Sequence, residues 1–186
     1  MKVEIVEDKD QFMKIKFEGI SPRLINVIRR YSMNKVPVLA IDKIIVYENT
    51  SSFFDEYIAH RIGLIPLTSP EDVDPDKIGI YLDAVGPKMV YSQDIKTTDE
   101  RVKIAVEDIP VIRLIEDQTL RIEGKVKRGV GRDHAKFQSA ISSYNEVGEG
   151  KYEFFIEGLY HRPVKETLRM AVKKIIQDLE SIEKQI

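Results

Sequence analysis

The sequence runs to 186 residues with a formal net charge of -2 and a pI near 6.0. That length fits one sizeable core or two modest ones, and that charge exerts no global pull on nucleic acid or on an anionic membrane. No cysteine is present, which excludes disulfides, thiolate zinc sites, iron–sulfur ligation by this chain and a cysteine nucleophile. The opening residues, MKVEIVEDKDQF, lack the apolar run of a signal peptide, and no stretch reaches the roughly 18 apolar residues of a membrane span. The expectation is a soluble, cytoplasmic protein.

In chain order, Val3 and Ile5 alternate with polar residues, a charged turn follows over 7–11, and Met13, Ile15 and Phe17 alternate again, which predicts a hairpin. Ser21 followed by Pro22 is an N-cap with proline at the first helical position. Leu24, Ile25, Val27, Ile28 and Tyr31 then recur at helical spacing, predicting a helix over 22–34 before Pro37. The Val- and Ile-rich run 36–48 predicts a strand, and 52–65 a second helix capped by Ser51 or Ser52 and stopped by Pro66 and Pro70. After an acidic, proline-punctuated loop over 71–76, short strands are expected around 78–82, 89–91, 102–106 and 120–126. Gly148 and Gly150 precede a strand at 152–156, and Pro163 opens a long last helix.

That helix carries the clearest physical signal. Leu168, Val172, Ile175, Leu179, Ile182 and Ile186 follow one another at intervals of 4, 3, 4, 3 and 4, an a/d heptad seam. Such a seam packs either into the chain's own core or against another chain. Val164, Ala171 and Ile176 widen the apolar surface beyond a single seam, so both readings stay open.

Signals for catalysis are weak. Among His60, His134 and His161, only His60 has a carboxylate, Glu56, at helical ligand spacing, a pattern more common in solvated hydrogen bonds than in metal sites. Asp133 and His134 are adjacent, so their side chains diverge and make a poor catalytic pair. Neither a G-x-S-x-G elbow nor a Walker loop occurs. Residues 125–136 gather Lys125, Lys127, Arg128, Arg132 and Lys136 around two glycines, and this reads either as a solvated hairpin loop or as a clamp on phosphate or on an acidic protein surface. Arg29 and Arg30 lie on an otherwise largely apolar helix, either as a solvated pair or as a docking fork.

Three segments together, SPRLINVIRRYSMNKVPVLAIDKIIVYENTSSFFDEYIAHRIGLIPL, GVGRDHAKFQSA and the terminal helix, resemble the D-subunit family of archaeal RNA polymerase. The resemblance spans essentially the whole chain, and extends to the N-terminal part of bacterial polymerase alpha and the third-largest subunit of eukaryotic polymerase II. It implies an α+β fold: a discontinuous dimerisation domain (1–40 and 150–186) of N-terminal strands and helix with C-terminal strand and long helix, and an inserted, mostly-β domain (41–149). It implies a subunit with no catalytic site of its own within a nucleotidyltransferase complex. Such a chain would pair with subunit L and form the platform on which subunits N and P and the large catalytic subunits assemble, with no sequence-specific DNA contact and no membrane contact.

By the same resemblance, the seam residues Leu168, Val172, Ile175, Leu179, Ile182 and Ile186 would form the dimer interface. Asn26, Arg29 and Arg30 of INVIRR, His60 and Arg61 with Gly63 and Pro66 of HRIGLIPL, and Arg132, Asp133, His134, Lys136 and Phe137 of GRDHAKFQ would dock the second-largest subunit. Many members of the family insert a cysteine-rich iron–sulfur segment shortly after the position of Ser139 to Tyr144. Here a short link over 145–150 stands in its place, so no cofactor is expected. The alternatives are a stand-alone dimerisation module and a nucleic-acid-binding module using the basic loop 125–136.

Overall fold

The computed structural model describes residues 1–186. Ten strands and three α-helices follow the order β1 (Lys2–Asp8), β2 (Phe12–Glu18), α1 (Pro22–Asn34), β3 (Val38–Asn49), α2 (Asp55–Gly63), β4 (Gly79–Val85), β5 (Lys88–Tyr91), β6 (Lys96–Thr97), β7 (Pro110–Leu114), β8 (Thr119–Gly129), β9 (Ala140–Gly148), β10 (Lys151–Gly158) and α3 (Val164–Glu183). They form two compact units, one from residues 1–37 and 130–186, the other from 38–129. No helix is long and apolar enough to cross a membrane.

The discontinuous unit is an antiparallel sheet in the order β1-β2-β10-β9 with α1 and α3 on one face. Strand alternation sets that face. The register pairs Met13 with Ile156, Ile15 with Phe154 and Phe17 with Tyr152, so one side of β2 and β10 is continuously apolar. Phe17 meets Phe154 edge to face, with ring centroids 6.1 Å apart. Helix α1 begins as the sequence predicts, with Ser21 Oγ accepting the Leu24 N–H at 3.2 Å and Pro22 at the first helical position. It buries Ile25 and Ile28 against the sheet.

The two chain segments of this unit are tied where they meet. The turn between β1 and β2 accepts backbone hydrogen bonds from Gly158 and Val164, each 2.8 Å long, and the buried Arg162 donates from Nη2 to the Pro37 carbonyl at 3.0 Å. Lys165, in the first turn of α3, pairs with Asp8 at the end of β1.

The contiguous unit packs a second sheet, order β3-β8-β4-β6, with the β5-β7 ribbon and α2 around one core. Inward positions of β8 hold Leu120, Ile122 and Val126, with Gly124 between them. A side chain there would put its Cβ 2.8 Å from the Lys43 carbonyl and 2.9 Å from Ile80, so glycine is what lets the strands close. Helix α2 contributes Ile58 and Ile62.

The structure departs from the sequence expectations in several places. Residues 102–106 form no strand, only an isolated bridge between Leu67 and Ile104. Strands β6, β7 and β9 were not anticipated: β6 and β7 are short, and β9 places Ser142 at an inward position where alternation calls for an apolar residue. Helix α2 starts at Asp55 with no side-chain cap, because Ser51 instead bonds Asn49 Oδ1 through both N–H (3.1 Å) and hydroxyl (2.6 Å). The contiguous unit spans 38–129, and β9, at the end of the stretch 41–149 expected to form the inserted domain, pairs with β10 in the discontinuous unit.

Candidate assembly interface

Helix α3 starts at Val164 after Pro163 and buries Val164, Thr167, Ala171 and Ile175. Its heptad seam does not stay on one side of the boundary. Leu168 is half-buried against the core and Ile175, expected in the interface, is 8% exposed and lies within the core. Val172, Leu179 and Ile182 are 39, 61 and 56% exposed, Ile186 is fully exposed, and Ile176 at 50% joins them. The cause is geometric: a helix of 3.6 residues per turn drifts against a seven-residue repeat. Beyond Ile175 no residue of α3 is buried.

The sheet leaves apolar surface open on the same face. The β1 register pairs Val3 with Phe17 and Ile5 with Ile15, which puts both on the helix-bearing face, yet each is nearly half exposed. Sequence reading placed these residues in a hairpin and missed their surface role. The signal was there, because an edge strand with alternating valine and isoleucine needs cover.

On its other side α3 is locked to α1. Tyr31 donates its hydroxyl proton to Asp178 at 3.0 Å, and Lys174 pairs with the same carboxylate at 3.1 Å. Burial raises the Tyr31 pKa and the Asp178 hydrogen bond raises it further. The hydrogen bonds from Lys174 and then Tyr31 hold the Asp178 pKa below the usual carboxylate range.

The residues nominated to dock the second-largest subunit divide between the units. In the discontinuous unit, Arg29 Nε donates to Asn26 Oδ1 at 3.1 Å, which aligns the guanidinium along the helix, while Arg30 is exposed. The end of α1 is held by serines: Ser142 donates to the Arg29 carbonyl at 3.1 Å, Ser139 donates to the Ser32 carbonyl at 2.6 Å, and the Ser32 and Ser142 hydroxyls lie 3.0 Å apart. The Ser32 carbonyl, one of those a helix end leaves without an intrahelical partner, is thereby satisfied. The loop after β8 docks here too, its Arg132 N–H donating to the Asn34 carbonyl at 3.2 Å. Arg132, Asp133 and His134 are surface residues, and His134 Nδ1 accepts the Lys136 N–H at 3.1 Å. Phe137 is buried, with Lys136 Nζ 5.2 Å from its ring centre, so it supports this surface from beneath.

In the contiguous unit, His60 is exposed on α2 and Arg61 donates to the Pro110 carbonyl while its guanidinium lies 5.8 Å from the Tyr57 ring centre. Tyr57 stacks on Phe53 at 5.1 Å, and Phe54 is 81% exposed. This aromatic–arginine cluster has the composition of an interface anchor. Two adjacent phenylalanines in a serine-rich link were its signal in the sequence.

The basic run 125–136 is not one loop. Lys125, Lys127 and Arg128 lie on β8 in the contiguous unit, whereas Arg132 and Lys136 belong to the other. Arg128 is engaged within its own unit, donating from Nη2 to the Pro70 and Val73 carbonyls at 2.9 and 3.1 Å. No three of the His, Asp and Glu side chains cluster to hold an ion. At the position where an iron–sulfur segment would be inserted, β9 and β10 join through a tight hairpin with Gly150 at φ +65°. With no cysteine in the sequence, the residues present do not fit such a cluster.

Residues 41–145 match the family model described as the RNA polymerase Rpb3/RpoA insert domain. The DNA-directed RNA polymerase subunit Rpo3 of Pyrobaculum calidifontis is 42% identical over 159 residues, covering 77% of this chain and 62% of the relative. The protein of the same name from Pyrococcus furiosus is 38% identical over 152 residues, covering 77% of this chain and 58% of the relative. That of Methanocaldococcus jannaschii is 36% identical over 161 residues, covering 87% of this chain and 83% of the relative. The chain thus spans about three fifths of the Pyrobaculum and Pyrococcus relatives and most of the Methanocaldococcus one. With these identities and the match to the insert domain, the chain belongs to the archaeal Rpo3 family of DNA-directed RNA polymerase subunits.

Proposed function

We propose that the chain is a non-catalytic assembly subunit of a cytoplasmic DNA-directed RNA polymerase. Helix α3 pairs with subunit L, the α1 end and the loop 130–137 dock the second-largest subunit, and subunits N and P join the platform so formed. Residues 1–37 and 130–186 are the dimerisation domain in this reading, and the chain holds no cofactor. Membership of the Rpo3 family favours this over a stand-alone dimerisation module.

The observation that carries the reading is the apolar seam on α3, which continues outward from a core already complete at Ile175. Fully burying a leucine or isoleucine side chain contributes about 1.5–3 kcal/mol, whereas association costs about 4–15 kcal/mol. One or two such contacts would not hold a partner. The seam offers five such side chains, Val172, Ile176, Leu179, Ile182 and Ile186, and β1 adds the exposed Val3 and Ile5.

Co-expression with subunit L of the same organism, followed by size exclusion with light scattering, tests the pairing. The wild type is expected to form a one-to-one complex, and Leu179→Asp with Ile182→Asp to lose it while keeping the same circular dichroism. A wild type indifferent to subunit L, or a variant that still pairs, overturns the assignment.

A further inference from the structure

The sheet of the contiguous unit has a second face, away from its core, on which β8 presents Arg121, Glu123, Lys125 and Lys127. The register sets the first three of these in rows across β3 and β4. Arg121 stands between Glu48 and Asp83, so that end of the face is balanced in charge. Glu123 stands between Ile45 and Tyr81, 54 and 48% exposed, with Lys96 of β6 beyond. Its carboxylate accepts a hydrogen bond from the Tyr47 hydroxyl at 3.0 Å, and Tyr47 stays 57% exposed. Lys125 stands between Lys43 and Gly79, a row without a carboxylate. Like charges directly opposite one another weaken a sheet, yet Lys43, Lys125 and Lys127 form no ion pair within the chain. The Glu123 and Lys125 rows line a groove of about 670 Å³, to which the turn 75–77 adds Asp76 and Lys77, the latter already paired with Asp74.

Two half-exposed tyrosines thus flank β8, beside a row of ammonium groups with no internal counter-charge. Strands about 4.8 Å apart put the Tyr47 and Tyr81 backbones roughly 10 Å from each other, which leaves room for a base on each ring. Every base has a π-face, and aromatic side chains flanked by cations are how single strands are held without regard to sequence. A duplex offers the same charge with its base faces already stacked. An acidic protein segment would be satisfied by the lysines alone and would leave the tyrosines without a role. We infer that this face binds single-stranded nucleic acid, with phosphates at Lys43, Lys125 and Lys127 and bases on Tyr47 and Tyr81. The site lies wholly in the contiguous unit, whereas subunit L is assigned to α3 in the other, so either reading can fail without the other.

Fluorescence anisotropy of a short labelled oligouridylate, titrated with the intact chain over a series of salt concentrations, tests it. Neutralising about three phosphates predicts a slope of log K against log salt of about −2, and Lys43→Ala with Lys125→Ala is expected to bring that slope to about −0.7. Tyr47→Ala and Tyr81→Ala are each expected to weaken binding about fivefold or more at an unchanged slope, while Tyr47→Phe with Tyr81→Phe keeps it. All four positions are exposed, so circular dichroism should be unchanged throughout. Absence of binding at low salt overturns the proposal, as do alanine variants of the tyrosines that bind like the wild type. A duplex of the same length, or polyglutamate, held as tightly as the single strand would also overturn it, and polyglutamate would mark the face as one for an acidic protein.

Discussion

The two units are nearly equal in length, 94 and 92 residues, yet their central apolar clusters hold 12 and 20 buried residues. The contiguous unit uses its strands, ribbon and helix to close one core around Ile80, Leu82 and Ile122. The discontinuous unit stops short: its core ends at Ile175 while α3 continues, and β1 leaves Val3 and Ile5 open. Domains of this size are only marginally stable. A unit that leaves apolar surface unfilled gains stability when that surface is covered.

Core truncation tests the contrast most strongly. Phe154→Ala, at a fully buried position in the smaller core, is expected to cost about 3–5 kcal/mol. Hydrogen exchange should show protection lost across β2 and β10 while β4 and β8 keep theirs; uniform loss would mean the two cores are one cooperative body. In the contiguous unit, Gly124→Ala forces a methyl against the Lys43 carbonyl and Ile80, and is expected to cost about 1–3 kcal/mol in denaturant unfolding. A neutral result would show that this sheet is less closed than its geometry states.

The smallest expected effect concerns the bridge between α1 and α3. The folded pKa of Asp178 lies below its ordinary value, so its contribution to stability is complete above the unfolded carboxylate pKa of about 3.9 and disappears as pH falls through the folded value. Asp178→Asn should flatten the acid limb of the stability curve below about pH 4 and leave the slope near neutrality unchanged. An unaltered acid limb would show that the Tyr31–Asp178–Lys174 bridge does not distinguish the folded from the unfolded state.

Much of this was legible in the residues. Helix α1 could be placed to its ends because Ser21, Pro22 and Pro37 are local punctuation that tertiary contacts did not override. Strand β9 could not, because its inward Ser142 is explained only by α1, more than a hundred residues earlier, whose carbonyl it serves. The heptad was legible as a pattern, but dividing it between core and surface required knowing where the sheet beneath α3 runs out. Ile175 and Ile176 are adjacent in sequence and fall on opposite sides of that division. The basic run misled for the opposite reason: neighbours in sequence were distributed to different units, and Arg128 was engaged by backbone carbonyls that no spacing rule identifies.

The serine contacts at the end of α1 also set an order of events during synthesis. Residues 1–37 contain a hairpin and a helix whose partners, β9, β10 and α3, are made only after the whole of 38–129 has emerged. At translation rates of about 5–20 residues per second, that is a delay on the order of 5–20 s. Helix–coil relaxation takes about a microsecond or less and hairpin formation about 1–10 microseconds. The contiguous unit can close its core during that interval, while Ile25, Ile28, Ile15 and Phe17 wait without the strands that will cover them. The stretch of chain at greatest risk of being captured by something else is therefore 1–37, which is made before the strands and helix that cover it.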